Sequence, residues 1–135
     1  MQRQGTSQTK SVTVLLSGTV TAKDVLQLDN AASGDARFYT AKIAATSAKG
    51  NPLAAGVAAT GGVAGDQIPM YVEGIVSTLA TGSPNGEPVV VDSVAGTAEI
   101  YVVGDHTMAP FGIAMSAVSG GFADVYLLNP LRLGY

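Results

Sequence analysis

The only histidine of the 135-residue chain, His106, stands next to Asp105 in "GDHTMAP", and serines are plentiful. Imidazole, carboxylate and hydroxyl are the parts of a nucleophilic relay, in which the ring takes the hydroxyl proton and the carboxylate orients the ring. The pattern that would present the nucleophile is missing, because no Gly-x-Ser-x-Gly elbow occurs. His106 therefore reads as a loop residue. One histidine and no cysteine leave a transition metal poor in ligands. Asp66, Glu73, Asp92 and Asp124 are the right type for a hard cation. No D-x-D-x-D loop gathers them, so they read as solvated charges. "GGVAGD" is Gly-rich, but no Gly-Lys-Ser/Thr follows to hold a phosphate. Asp92 and Glu99 cannot be matched to a glycosidase pair without their separation. Tyr39, Tyr71, Tyr101, Tyr126 and Tyr135 could build a sugar platform, yet isolated strand tyrosines more often pack at edges and interfaces. The expectation is no catalytic residue, no cofactor, no metal, and no enzyme.

The elements that position these residues follow from composition and pattern. A chain of this length fits one domain with a real core. Charged residues are 13%, against roughly 25% in ordinary soluble domains. Mean hydropathy is +0.31, and 17 residues are glycine. So few charges suit a subunit that buries surface against neighbours. Residues 50–131 hold seven acids and no Lys or Arg, while residues 1–10 hold Arg3 and Lys10 and no acid. An acidic body repels phosphate, so nucleic acid is not an expected partner. The absence of cysteine excludes disulfides. "VTVLL" is too short for a secretory core. Residues 106–123 have membrane-spanning length without charge, but Pro110, Ser116, Gly120 and Gly121 make them read as strand, turn, strand. No membrane segment is expected, and the chain is placed in the cytoplasm or an assembled particle.

Strands are expected at "SVTVLL" (11–16), "KDVLQLD" (23–29), "ARFYTAKIA" (36–44), "QIPMYVEGIV" (67–76), "EPVVVDSV" (87–94), "AEIYVVG" (98–104) and "FADVYLL" (122–128). Pro69 suits an edge or a strand start. Alanines in "AAGVAA" and "TSAKG" would allow helix, but the nearby Gly and Pro argue against a long one. Turn signals at this spacing predict an all-β fold, a small β-barrel or sandwich.

The chain also repeats itself. Gly56-Val57-Ala58 returns as Gly112-Ile113-Ala114, and Gly65 returns as Gly121, both at an offset of 56. After each second glycine a strand follows, with phases that match less well, as if one copy held an extra residue. The physical reading is two similar β units in which Gly56, Gly65, Gly112 and Gly121 are structural, allowing close backbone approach or positive φ.

"GNPLAAGVAATGGVAGDQIPMYVEGIV" resembles the central segment of small head decoration (capsid cement) proteins of tailed bacteriophages. "AKDVLQLDNAASGDARFYTAKIA" looks like their earlier hairpin and "APFGIAMSAVSGGFADVYL" like their closing unit, so the resemblance runs from Val20 to Leu128. It implies a β-tulip-like barrel or sandwich and no catalytic motif. It implies a virion protein, made in the host cytoplasm, on the outer surface of the capsid. There it would clamp neighbouring copies of the major capsid protein against the pressure of packaged DNA. A homo-oligomer is expected, with a trimer favoured. Residues 1–10 are read as an extended polar arm before a single domain at 11–135. Gln2, Arg3, Gln4 and Lys10 are its candidate capsid contacts, since so polar a segment cannot order itself by apolar burial. The alternative reading is a β-rich phage fibre or a carbohydrate-binding module.

Overall fold

The computed structural model describes residues 9–107 and 110–128. Nine strands are present among them: β1 (Lys10–Leu16), β2 (Val25–Leu28), β3 (Thr40–Ile43), β4 (Ala54–Ala58), β5 (Gln67–Leu79), β6 (Pro88–Val90), β7 (Glu99–Ile100), β8 (Gly112–Ala114) and β9 (Phe122–Leu128). The described residues contain no α-helix, only a 3-10 turn at Gly34–Phe38. The first half of "ARFYTAKIA" is thus a turn, and only its second half is a strand. "AAGVA" is a strand, and "EPVVVDSV" and "AEIYVVG" contribute short ones.

Five strands close into a barrel in the order β1-β3-β2-β4-β5, with β5 returning to β1. The β1–β3 pair is parallel, and the other barrel pairs are antiparallel. Closure leaves these strands without a free edge, which removes the usual liability of an exposed ladder. The four remaining strands continue from β5 as β9-β8-β6-β7. Strand β5 serves both parts. Its first half pairs with β1 and β4, and Glu73 to Leu79 pairs with Leu128 to Phe122 of β9. Gly74, at φ +101°, lies where the strand changes partners.

Two apolar cores result. One fills the barrel with Val14, Leu16, Leu26, Ala55, Ile68, Met70 and their neighbours. The other lies between the barrel wall and the outer strands, joining Val25, Ala54 and Val57 to Val76, Val89, Val125 and Leu127. Each fully buried Val or Leu contributes about 1.5–3 kcal/mol of transfer free energy. The wall strands β2 and β4 serve both cores. Val25 faces one and Leu26 the other, and every residue of β4 is buried. A register shift between Leu26 and Gln27 leaves Ala55 as a bulge in β4, which lets Ala54 and Val57 share a face. A strand covered on both sides shows no apolar-polar alternation, which explains the plain, small-residue run of β4.

Of the arm, residues 1–8 lie outside the described residues, so Gln2, Arg3 and Gln4 receive no structural account. Lys10 opens β1 opposite Glu73, and its ammonium lies 3.4 Å from the Glu73 carboxylate.

Candidate interaction surface

His106 and Glu99 each hold loop segments in place through hydrogen bonds. His106 is 5% exposed. The Val102 amide donates to its Nδ1 at 2.8 Å, so Nδ1 is the unprotonated nitrogen. Nε2–H then donates to Asp92 Oδ2 at 2.7 Å. Both ring nitrogens are committed, and the ring lies 5.7 Å from that of Tyr101. The partner is Asp92 rather than the adjacent Asp105, a pairing across 14 residues of sequence that no local pattern signals. The histidine is a loop residue by position, but a buried one that ties residues 101–106 to the end of β6. Glu99 caps a turn, accepting from the amides of Ser93 and Val94 at 2.8 and 2.9 Å. Among the described residues, no three His, Asp or Glu side chains converge to hold a metal ion. None of the helices there is long and apolar enough to cross a membrane.

Two carboxylates have shifted acidities. Burial raises the Asp24 carboxyl, and its bond from the Thr21 amide (2.9 Å) only partly offsets this. Asp29 is lowered, first by the Ser17 hydroxyl and then by the Ala31 amide at 3.0 Å, with Lys42 adding charge from 3.7 Å.

The four glycines fall into two kinds. A Cβ on Gly56 would strike the Tyr71 carbonyl oxygen and come within 2.8 Å of the Met70 side chain. A Cβ on Gly112 would lie 2.8 Å from the Tyr126 carbonyl oxygen and 2.7 Å from the Val125 side chain. Gly65 and Gly121 instead have open space around them and φ of +94° and +88°. The following hairpins correspond in register. Val57 faces Tyr71 and Ala58 faces Met70, while Ile113 faces Tyr126 and Ala114 faces Val125. The first unit therefore spans one residue more than the second.

The outward side of β5, β9 and β8 carries a cross-strand apolar row. Ile75 stands opposite Tyr126, and Tyr126 opposite Ile113. Ile75 is 51% and Tyr126 44% exposed. Asp124 and Ser77 form the next row, beside exposed Met115, whose amide bonds to the Asp124 carbonyl. A cavity of about 280 Å³ opens beside this row. It is lined by Thr9, Ala22, Lys23, Ala58, Ala59, Tyr71, Ile75, Val76 and Ser77. Lys23, held at φ +78°, stretches its ammonium over the Phe122 ring at 4.4 Å. Its walls are chiefly apolar, which suits contact with an apolar side chain. The sequence shows the alternation in β5 and β9, but not the register that aligns their outward residues.

No family model matches the chain, and no curated protein matches it. Solved structures do. The fold is similar to that of the head fiber gp8.5 N base in bacteriophage phi29, with a TM-score of 0.59 and 20% identity, over 90% of this chain and 96% of that one. It is also similar to a chain in the capsid of Myoviridae phage XM1, with a TM-score of 0.61 and 14% identity, over 89% of this chain and 83% of that one. At these identities the likeness is one of fold. It extends over the barrel and the outer strands together.

Proposed function

We propose that this chain is a structural protein of a phage head. In this reading it is a decoration subunit that binds the outer surface of the shell, bridges neighbouring major capsid proteins and stabilises the shell against internal DNA pressure. The observation that carries the reading is the likeness, over about nine tenths of the chain, to two structures described as phage head fibre base and phage capsid. The chemistry agrees, since the one histidine is spent on holding a loop and apolar side chains such as Ile75 and Tyr126 are exposed for contact. Attachment is interfacial, and many copies multiply modest contacts into shell-wide stability. The subunit acts as a homo-oligomer, with a trimer favoured, and the N-terminal arm adds contacts through Gln2, Arg3 and Gln4, while Lys10 is held against Glu73. The test is co-sedimentation of the purified chain with heads that lack it, followed by heating of the heads. Bound protein and a higher temperature of DNA release support the reading, and unbound protein refutes it.

The likeness to the phi29 head fibre base favours a second reading, in which the same fold anchors a projecting fibre. Electron microscopy separates the two: a decoration subunit gives low knobs on the shell, and a fibre base gives protruding rods.

A further inference from the structure

We propose that the outward face of β5, β9 and β8, centred on Ile75, Tyr126 and Ile113, is the surface that docks the shell. The partner it fits is a shell-protein segment offering an apolar side chain flanked by Lys or Arg. The proposal rests on the shell-binding reading above and names the surface and chemistry through which it works. Ile75 and Tyr126 are exposed side by side and half-buried Ile113 continues the row, the kind of contiguous apolar surface on which a partner docks. The row does not stand alone, because Ile75 also lines the cavity beside it. A row that ends in a pocket gives a partner a flat contact and a place for one anchoring side chain, the arrangement in which interface energy concentrates.

Charge decides the occupant. The outer strands and their loops, residues 73–128, carry acids and no Lys or Arg. Among the described residues, Lys10 is paired with Glu73 and Lys23 lies over the Phe122 ring. Asp124, exposed in the row next to Tyr126, has no cation within salt-bridge distance among the described residues. A second copy packed through the same face would bring one Asp124 into the other's interface with nothing to neutralise either. A basic-flanked partner supplies what the face lacks.

The experiment measures binding of the full chain to heads that lack it, at low and high salt. Ile75→Thr and Tyr126→Thr place β-branched, strand-compatible threonine in the strands. Each is expected to weaken binding by more than about tenfold, with melting within about 4 °C of the parent. Met115→Ser provides a third readout outside any strand. Asp124→Lys is expected to weaken binding most at low salt, where the charge contact is least screened. Phe38→Ser and Val103→Ser, at the most exposed apolar positions away from this face (73% and 85% exposed), are expected to bind like the parent. Unimpaired binding by the Ile75, Tyr126 and Met115 variants, with the parent binding, overturns the face alone. A parent that does not bind heads overturns the shell reading and the face with it. Sedimentation that shows Tyr126→Thr breaking a self-association while head binding stays complete assigns the face to a second copy and also overturns the proposal.

Discussion

Gly56 and Gly112 meet the same obstacle in two different strands. Each lies beside a carbonyl oxygen of the next strand of its hairpin, that of Tyr71 for Gly56 and that of Tyr126 for Gly112. Neither residue has positive φ. What fixes glycine there is the closeness of the neighbouring backbone, which cannot retreat as a flexible side chain would. Gly56→Ala and Gly112→Ala are therefore expected to destabilise the protein by about 2–3 kcal/mol through overpacking. Gly65→Ala and Gly121→Ala meet no atoms and suffer only the left-handed backbone, a cost of about 1–2 kcal/mol. Urea unfolding of the four variants checks the order. Equal losses in both pairs would show that close approach is not the constraint at Gly56 and Gly112.

His106 and Asp92 make a prediction about stability without function. His106→Ala leaves the Val102 amide and the Asp92 carboxylate without their partner and opens a small cavity. An expected loss of about 2–3 kcal/mol follows. Attachment to heads should be unchanged at temperatures where the variant is folded. A hydrolytic activity of the parent that vanishes in His106→Ala would contradict the structural role.

Asp24 and Asp29 give opposite responses to acid. The lowered Asp29 carboxyl contributes stability that is fully present above its unfolded value and is lost as pH falls through its folded value. Asp29→Asn is expected to be less stable than the parent at neutral pH, with the gap closing in acid. The raised Asp24 carboxyl is a cost of keeping a buried charge, borne at neutral pH and relieved as pH falls through its folded value. Asp24→Asn keeps an acceptor for the Thr21 amide, so it is expected to be at least as stable as the parent at neutral pH, with the advantage fading in acid. Melting curves across that range check both signs, and a shared sign would contradict the assignment.

The barrel was legible where one face of a strand is solvated. The spacing of Ile68, Met70 and Val72 on one side of the strand shows directly in "QIPMYVEG", and β5 lies where that pattern predicts. It was least legible in β4, whose residues are covered on both faces and so carry no period. The repeated glycines could be read because a close backbone approach leaves a residue-level mark. The Ile75–Tyr126–Ile113 row could not, because it depends on the register of three strands and each residue alone is an ordinary strand residue. The pairing of His106 with Asp92 was hidden for the same reason, since the loop after β7 folds back across β6.

The polar arm gives a prediction about attachment. Deleting residues 1–8 keeps the Lys10–Glu73 pair and all nine strands. Circular dichroism and melting are expected to match the parent, while co-sedimentation with heads weakens, most at low salt, where Arg3 contributes more. Full attachment at every salt concentration would show that the arm plays no part.

In the proposed function, this fold serves on the surface of a phage head. A cryo-electron microscopy reconstruction of heads that lack the protein, incubated with the purified chain, tests it directly. The account predicts ordered density on the outer surface at repeated sites between neighbouring shell subunits, fitted by the barrel with the Ile75–Tyr126 face towards the shell. Shells that stay bare at saturating protein would contradict it.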